Sequence, residues 1–133
     1  MSNTILRLGA NPNYLGISSH TIMKNPSIWK FMHQSGYFST YIDAQAMHGR
    51  LHNYMTRNEL SLIDRIIQLD GVIYGKDHKA AKIIQELLLS DTPQFIYFNK
   101  AGAHFHYEDH YPDSFTPFVP HMEHDEQESI NNK

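Results

Sequence analysis

Two histidines one residue apart open the run His104-Phe105-His106-Tyr107-Glu108-Asp109-His110. On an extended backbone alternate side chains share a face, so His104, His106 and Glu108 project together, with successive members about 7 Å apart at their Cα atoms. Two imidazoles at that spacing can hold one metal ion, with Glu108 or His110 completing the set. Zinc, nickel, copper and non-haem iron accept such ligands. Without metal, the same pair can act as acid and base on a phosphodiester. One imidazole deprotonates the nucleophile and the other protonates the leaving oxygen. Histidines alternating with aromatics are also ordinary on a half-exposed strand, so the pattern alone does not select a chemistry.

A second pair, His48 and His52, stands at i and i+4, the spacing that puts two imidazoles on one helix face. Gly49 occupies the position where a zinc metalloprotease helix needs glutamate, so that activity is excluded. A third group, His121-Met122-Glu123-His124-Asp125-Glu126, has metal-compatible side chains but reads first as a solvated acidic tail. Gly71-Val72-Ile73-Tyr74-Gly75-Lys76-Asp77 falls short of a phosphate loop. It lacks one residue between its glycines and has Asp77 where a hydroxyl must stand.

The elements that must position these residues come from a chain of 133 residues, enough for one core. The expected organisation is a single compact domain over 1–120 with an acidic tail over 121–133. Thr4 to Leu8 reads as a short strand ended by Gly9. Asn25-Pro26 and Gly36 read as the start and stop signals of a helix carrying Ile28, Trp29, Phe31 and Met32. Thr40 with Asp43 resembles a capping box and predicts a helix to about Met55. Thr56-Arg57-Asn58-Glu59 is a full capping box and predicts a helix to about Leu69. Asp77 is the expected N-cap of a fourth helix. Its apolar positions go most of the way round over 78–89, the profile of a central helix.

After Asp91-Thr92-Pro93 the period changes to that of strands. Residues 94–98 and 103–107 predict a β-hairpin, with Ile96, Phe98, Phe105 and Tyr107 on one face and Phe95, Tyr97, His104, His106 and Glu108 on the other. The predicted fold is therefore α+β and mainly α. About four helices surround the central one, with a C-terminal hairpin, the N-terminal strand as a candidate third member, and an irregular arm containing Pro112, Pro117 and Pro120.

Composition excludes several function classes. The formal charge of −3 resides in the tail, because residues 1–120 carry ten acids and ten bases. A neutral body does not call for nucleic acid or an anionic membrane as partner. The chain has no cysteine, so disulfides and thiolate chemistry are excluded. No signal peptide and no membrane span are visible in it. These features together predict a soluble cytoplasmic protein.

No catalytic motif is complete, and the chain is rich in Tyr, Phe, Met and His, which make contact area at modest entropic cost. The leading expectation is a small intracellular binding protein that inhibits or sequesters a partner, of the immunity, antitoxin or phage-inhibitor type. Its partner would be another protein, a basic one by complementarity with the tail. Its contact residues would be Tyr97, His104, His106, Glu108, Tyr111, Glu123, Asp125 and Glu126, and it would require no cofactor. The alternative is a histidine-dependent hydrolase or phosphodiesterase. There His104 and His106 are catalytic, and a transition metal such as zinc is held by His104, His106 and His110 or by His48 and His52. Nothing in the sequence sets the oligomeric state.

Overall fold

The computed structural model describes residues 2–9, 26–46, 53, 55–102 and 114. Four helices and three strands occur among them: α1 Ser2–Arg7, α2 Ile28–Gln34, β1 Phe38–Asp43, α3 Arg57–Leu60, β2 Arg65–Gln68, α4 Ile73–Leu87 and β3 Gln94–Asn99. This is a small α+β domain whose sheet has the order β2-β1-β3. Both pairings are parallel. Tyr41 stands opposite Ile66 on one side and Tyr97 on the other, and Asp43 opposite Gln68 and Asn99.

Parallel sheets are normally covered on both faces, and this one is. Ile42, Ala44, Leu69, Ala80, Leu87 and Ala101 form one apolar cluster, with Ile67, Ile83, Ile84, Ile96 and Phe98 packed against it. It lies between the sheet and α4. Trp29, Tyr41, Met55 and Ile63 form the other, joined by Ile28, Leu60, Leu62, Ile66, Phe95 and Tyr97. Trp29 is its anchor, meeting the rings of Tyr41, Phe95 and Tyr97 at 6.1, 5.5 and 5.6 Å. The expected facing of Phe95 and Tyr97 against Ile96 and Phe98 is therefore observed.

Several expectations are corrected. Residues 4–8 belong to helix α1, apart from Leu8 just beyond its end, and not to a strand. Thr40 and Asp43 do not cap a helix. They lie in β1, the central strand, buried from Ser39 to Asp43. Ser39 and Asp43 of this strand are bonded to other elements instead. Ser39 N–H and Oγ donate to Asp64 Oδ2 at 2.7 and 2.8 Å, and Asn99 Nδ2 donates to Asp43 Oδ1 at 2.9 Å.

The Thr56–Glu59 capping box forms with both its hydrogen bonds, but its helix stops after Leu60 and gives way to β2. The fourth helix starts at Ile73 rather than at Asp77 and is not a central spine. Ala80 and Leu87 are buried, whereas Leu88 and Leu89 just beyond its end are 64% and 85% exposed. Strand 94–99 occurs where predicted, but it is docked parallel to β1, which makes it part of a parallel sheet. Its expected hairpin partner, 103–107, lies outside the described residues. So do the C-terminal arm and the boundary at 120.

Trp29→Ala removes the anchor of one core face and is expected to cost about 3–5 kcal/mol in urea unfolding, whereas exposed Phe31→Ala stays within about 0.5 kcal/mol. The backbone N–H of Ser39 holds the Asp64 carboxyl below its ordinary value, against the opposing effect of desolvation and with help from the Ser39 hydroxyl. A lowered folded-state value adds stability above the unfolded pKa of about 3.9, and that stability disappears as pH falls through the folded value. Asp64→Asn should therefore flatten the acid limb of a stability–pH curve below about pH 4, measured by urea midpoints.

Candidate functional site at the carboxyl edge of the sheet

In open parallel sheets the ligand crevice lies outside the carboxyl ends of the strands. Here that edge collects Asp43 from β1, Asn99 from β3 and Asn3 from α1. Asp43 and Asn99 are buried. Asp43 Oδ1 accepts from Asn99 Nδ2 and, at 3.0 Å, from the N–H of Gln45, which turns the chain out of β1. Asn3 Nδ2 donates to Asn99 Oδ1 at 3.3 Å, and Tyr97 Oη donates to Asn3 Oδ1 at 3.3 Å. One amide thus ties the start of α1 to the tip of β3.

Beneath this edge lies a buried cation. Arg7 is 1% exposed and pairs through Nε with Glu59 Oε1 at 3.3 Å. Glu59 spends its other oxygen on the N–H of Thr56, so the capping box also fastens α1 to α3. Arg7 Nη1 and Nη2 have no hydrogen-bond partner among the described residues. The guanidinium charge still reaches two phenols. Burial, then the Asp43 carboxylate, pushes Tyr41 far above its ordinary pKa, while Arg7 pulls it partly back. Burial also raises Tyr97, again against Arg7.

The exit of β3 is held on both sides. Ala44 N–H donates to Asn99 O at 3.0 Å and the Gln45 side chain to Lys100 O. From α4, Asp77 accepts the N–H groups of Ala101 and Gly102, each at 2.9 Å. His104 comes two residues after Gly102 in the sequence.

Of the residues singled out from sequence, Tyr97 is placed: it is half-buried in β3 and packed on Trp29, not laid out as a contact surface. His104, His106, Glu108, His110, Tyr111, His48, His52, Glu123, Asp125 and Glu126 lie outside the described residues. Among the described residues no group of three or more His, Asp or Glu side chains is placed to hold a metal ion. Sequence reasoning missed Asp43, Asn99 and Asn3 at the edge and Arg7 beneath it. A signal was present for the first: Asp43 ends the β-rich run from Phe38 to Ile42, as a residue at a strand's carboxyl end does.

No protein-family model and no curated protein matches the chain. Two solved structures do. One is the C-terminal periplasmic domain of EcEptC from Escherichia coli in complex with zinc, 26% identical with a TM-score of 0.55 over 84% of this chain. The other is the same domain of EcEptC from Escherichia coli, 25% identical with a TM-score of 0.55 over 84% of this chain. The chain spans about a third of their length, 34% and 33%. This likeness overturns the expectation of a cytoplasmic inhibitor of the immunity, antitoxin or phage-inhibitor type. Charge balance, the lack of cysteine and the lack of a visible signal peptide or membrane span led there. Apolar clusters on both faces of the sheet hold this domain without a disulfide.

A tyrosine whose folded-state pKa is raised contributes stability below its unfolded value of about 10 and loses it as pH rises through the folded value. The protein should therefore unfold on the alkaline side of about pH 10, with Tyr41 and Tyr97 ionising last. Tyr41→Phe and Tyr97→Phe should each shift that transition upward. Absorbance of phenolate at alkaline pH, monitored together with circular dichroism, checks both statements.

Proposed function

We propose that this chain is part of a periplasmic, zinc-dependent enzyme domain with a sulfatase-like fold, acting on phosphate esters in the manner of a phosphoethanolamine transferase. The observation that carries this reading is the likeness, over 84% of the chain, to a periplasmic domain in complex with zinc. The site is the carboxyl edge of the sheet. The donor chemistry fits: His104, His106, Glu108 and His110 are of the types that zinc accepts, in a segment that begins two residues after the clamped end of β3. Asp43 and Asp77 are occupied with N–H groups and serve as supports.

Bound zinc would supply charge to polarise the ester and to acidify the attacking group. The chain's own part is to hold the histidines and to exchange protons. An imidazole not bound to metal takes the proton of the attacking hydroxyl or returns one to the leaving oxygen. Tyr97, Asn3 and Asn99 are bonded to one another at the carboxyl edge itself.

The expected outcome in equilibrium dialysis of untagged protein is close to one zinc per chain, lowered by at least about tenfold in affinity by His104→Ala or His106→Ala. Zinc-dependent turnover of a phosphodiester or phosphomonoester by the polypeptide carrying this chain, lost in the same variants, completes the test. Uptake below about a tenth of an equivalent at micromolar zinc overturns the reading.

A further inference from the structure

Gly71 to Asp77 lacks the spacing of a phosphate loop, but the fold puts this segment where such loops stand, between a strand and the N-terminus of a helix. The topology singles out the same turn. The connection from β1 to β2 carries α3, whose Leu60 packs with Met55 and Ile63 into the Trp29 cluster on one face of the sheet. The connection from β2 to β3 is α4, whose Ala80 and Leu87 join the Ile42 cluster on the other. Adjacent parallel strands whose connections leave on opposite faces open a crevice between their carboxyl ends, and ligands of open α/β sheets bind there. Here those ends are Asp43 and Gln68, which stand opposite one another, and α4 starts from the turn that leaves β2.

The N-terminus of α4 is uncapped. Val72 at the N-cap makes no side-chain hydrogen bond there, and the first turn contains no acid. The N–H groups of Ile73 and Tyr74 precede the first intrahelical bond, which Gly75 donates to Val72 O at 3.1 Å. Both residues are exposed. A terminus of this kind has free donors and about half a positive charge, which together suit an anion. Gly71, at a φ of 104°, makes the turn, and Lys79 Nζ lies against it, bonded to Asp70 O at 3.2 Å.

Lys76 is the independent observation. It is 9% exposed and lies one turn before Ala80 on the buried side of α4. Helical side chains lean toward the N-terminus, so its ammonium is carried back toward the crevice. It has no hydrogen-bond or ion-pair partner among the described residues. Unlike the Nη groups of Arg7, it is not sealed from solvent. The nearby carboxylates are engaged elsewhere. Asp77 spends both oxygens on the N–H groups of Ala101 and Gly102, and Asp43 Oδ1 is held by Asn99 and by the N–H of Gln45. A buried lysine stem with an unmatched charge at an uncapped helix start leaves one complement missing, an anion with several acceptor oxygens.

We propose that this crevice binds a phosphate group. The N–H groups of Ile73 and Tyr74 and the ammonium of Lys76 are its donors, and Lys79 adds a second charge at the rim. The site needs neither zinc nor histidine, so it goes beyond the proposed function and stands or falls separately.

The test is a nuclear magnetic resonance titration of the isotope-labelled whole chain with inorganic phosphate, in the presence of chelator and with ionic strength held constant by chloride. The amide resonances of Ile73 and Tyr74 are expected to shift saturably. Lys76→Met, which keeps the buried stem, should weaken binding at least about tenfold. Lys82→Met removes the same charge from an exposed position farther along α4 and should leave binding unchanged. Val72→Asp separates the site from stability. An aspartate at the N-cap meets the free N–H groups and should raise the thermal midpoint, while its carboxylate abolishes phosphate binding. If Lys76→Met does not fold, Val72→Asp carries the comparison.

Phosphoethanolamine and vesicles containing phosphatidic acid are then compared as competitors. Displacement by the first marks a soluble ester as the source of the phosphate group, displacement by the second a lipid, and displacement by neither leaves free phosphate as the ligand. The absence of a saturable shift at Ile73 and Tyr74 up to about 50 mM phosphate overturns the proposal. So do equal losses in Lys76→Met and Lys82→Met, or native affinity in folded Val72→Asp.

Discussion

Parallel pairing sends the carboxyl ends of β1, β2 and β3 to the same edge, and the rest of the molecule is arranged around that constraint. Antiparallel strands would have put Asp43 and Asn99 at opposite ends. Pairing in parallel register sets them opposite one another, where an amide and a carboxylate bond at 2.9 Å. Parallel strands also require long connections. The crossover from β2 to β3 is α4, and its passage over the sheet brings Asp77 to the end of β3. One topological rule therefore explains the buried core beneath α4, the polar edge and the restrained exit toward His104.

A central strand containing Ser39, Thr40, Tyr41 and Asp43 is an unusual one to bury. Removing polar groups from water costs free energy unless they are bonded, and a buried ion more so. Here Ser39 is met by Asp64, Asp43 by Asn99 and the N–H of Gln45, and Arg7 in part by Glu59. All but the Gln45 contact join residues far apart in sequence. The polar groups thus specify which strand lies beside which, while Trp29 and its ring contacts anchor the apolar packing on that face. The Arg7–Glu59 contact is a single one at 3.3 Å through Nε, so its value is less in net energy than in tying α1 to the cap of α3.

The same distinction between local and distant partners separates the legible part of the chain from the illegible. Local chemistry was read correctly. The capping box of Thr56 and Glu59 forms, Gly36 takes the positive φ expected after a helix, and Phe95 and Tyr97 face away from Ile96 and Phe98. Partnership across the chain was not legible. Thr40 with Asp43 has the spacing of a cap, and nothing within those four residues distinguishes a cap from a central strand. Parallel and hairpin pairing of 94–98 likewise demand the same alternation, so direction was invisible until β1 was in place. Asp77 was read as the N-cap of the fourth helix, which instead starts at Ile73. The targets of Asp77 proved to be Ala101 and Gly102 across the fold rather than the first turn of its own helix.

These captures also explain why the carboxylates at this edge are not themselves an evident metal site. Asp43 Oδ1 already takes two N–H donors, and both oxygens of Asp77 are committed. A carboxylate bound in this way is held in one orientation and makes a stiff support, because moving it would leave buried N–H groups unpaired. Metal chemistry needs both parts: ligands with open lone pairs, and a surrounding layer of hydrogen bonds that keeps those ligands still. The described residues supply supports of this kind, and no group of three or more His, Asp or Glu side chains among them is placed to hold a metal ion. Asp43 and Asp77 acquire their partners only when the parallel sheet brings β1, α4 and the exit of β3 together. Residue types are visible along the chain, whereas such partnerships are dictated by the sheet's topology and appear only in the fold.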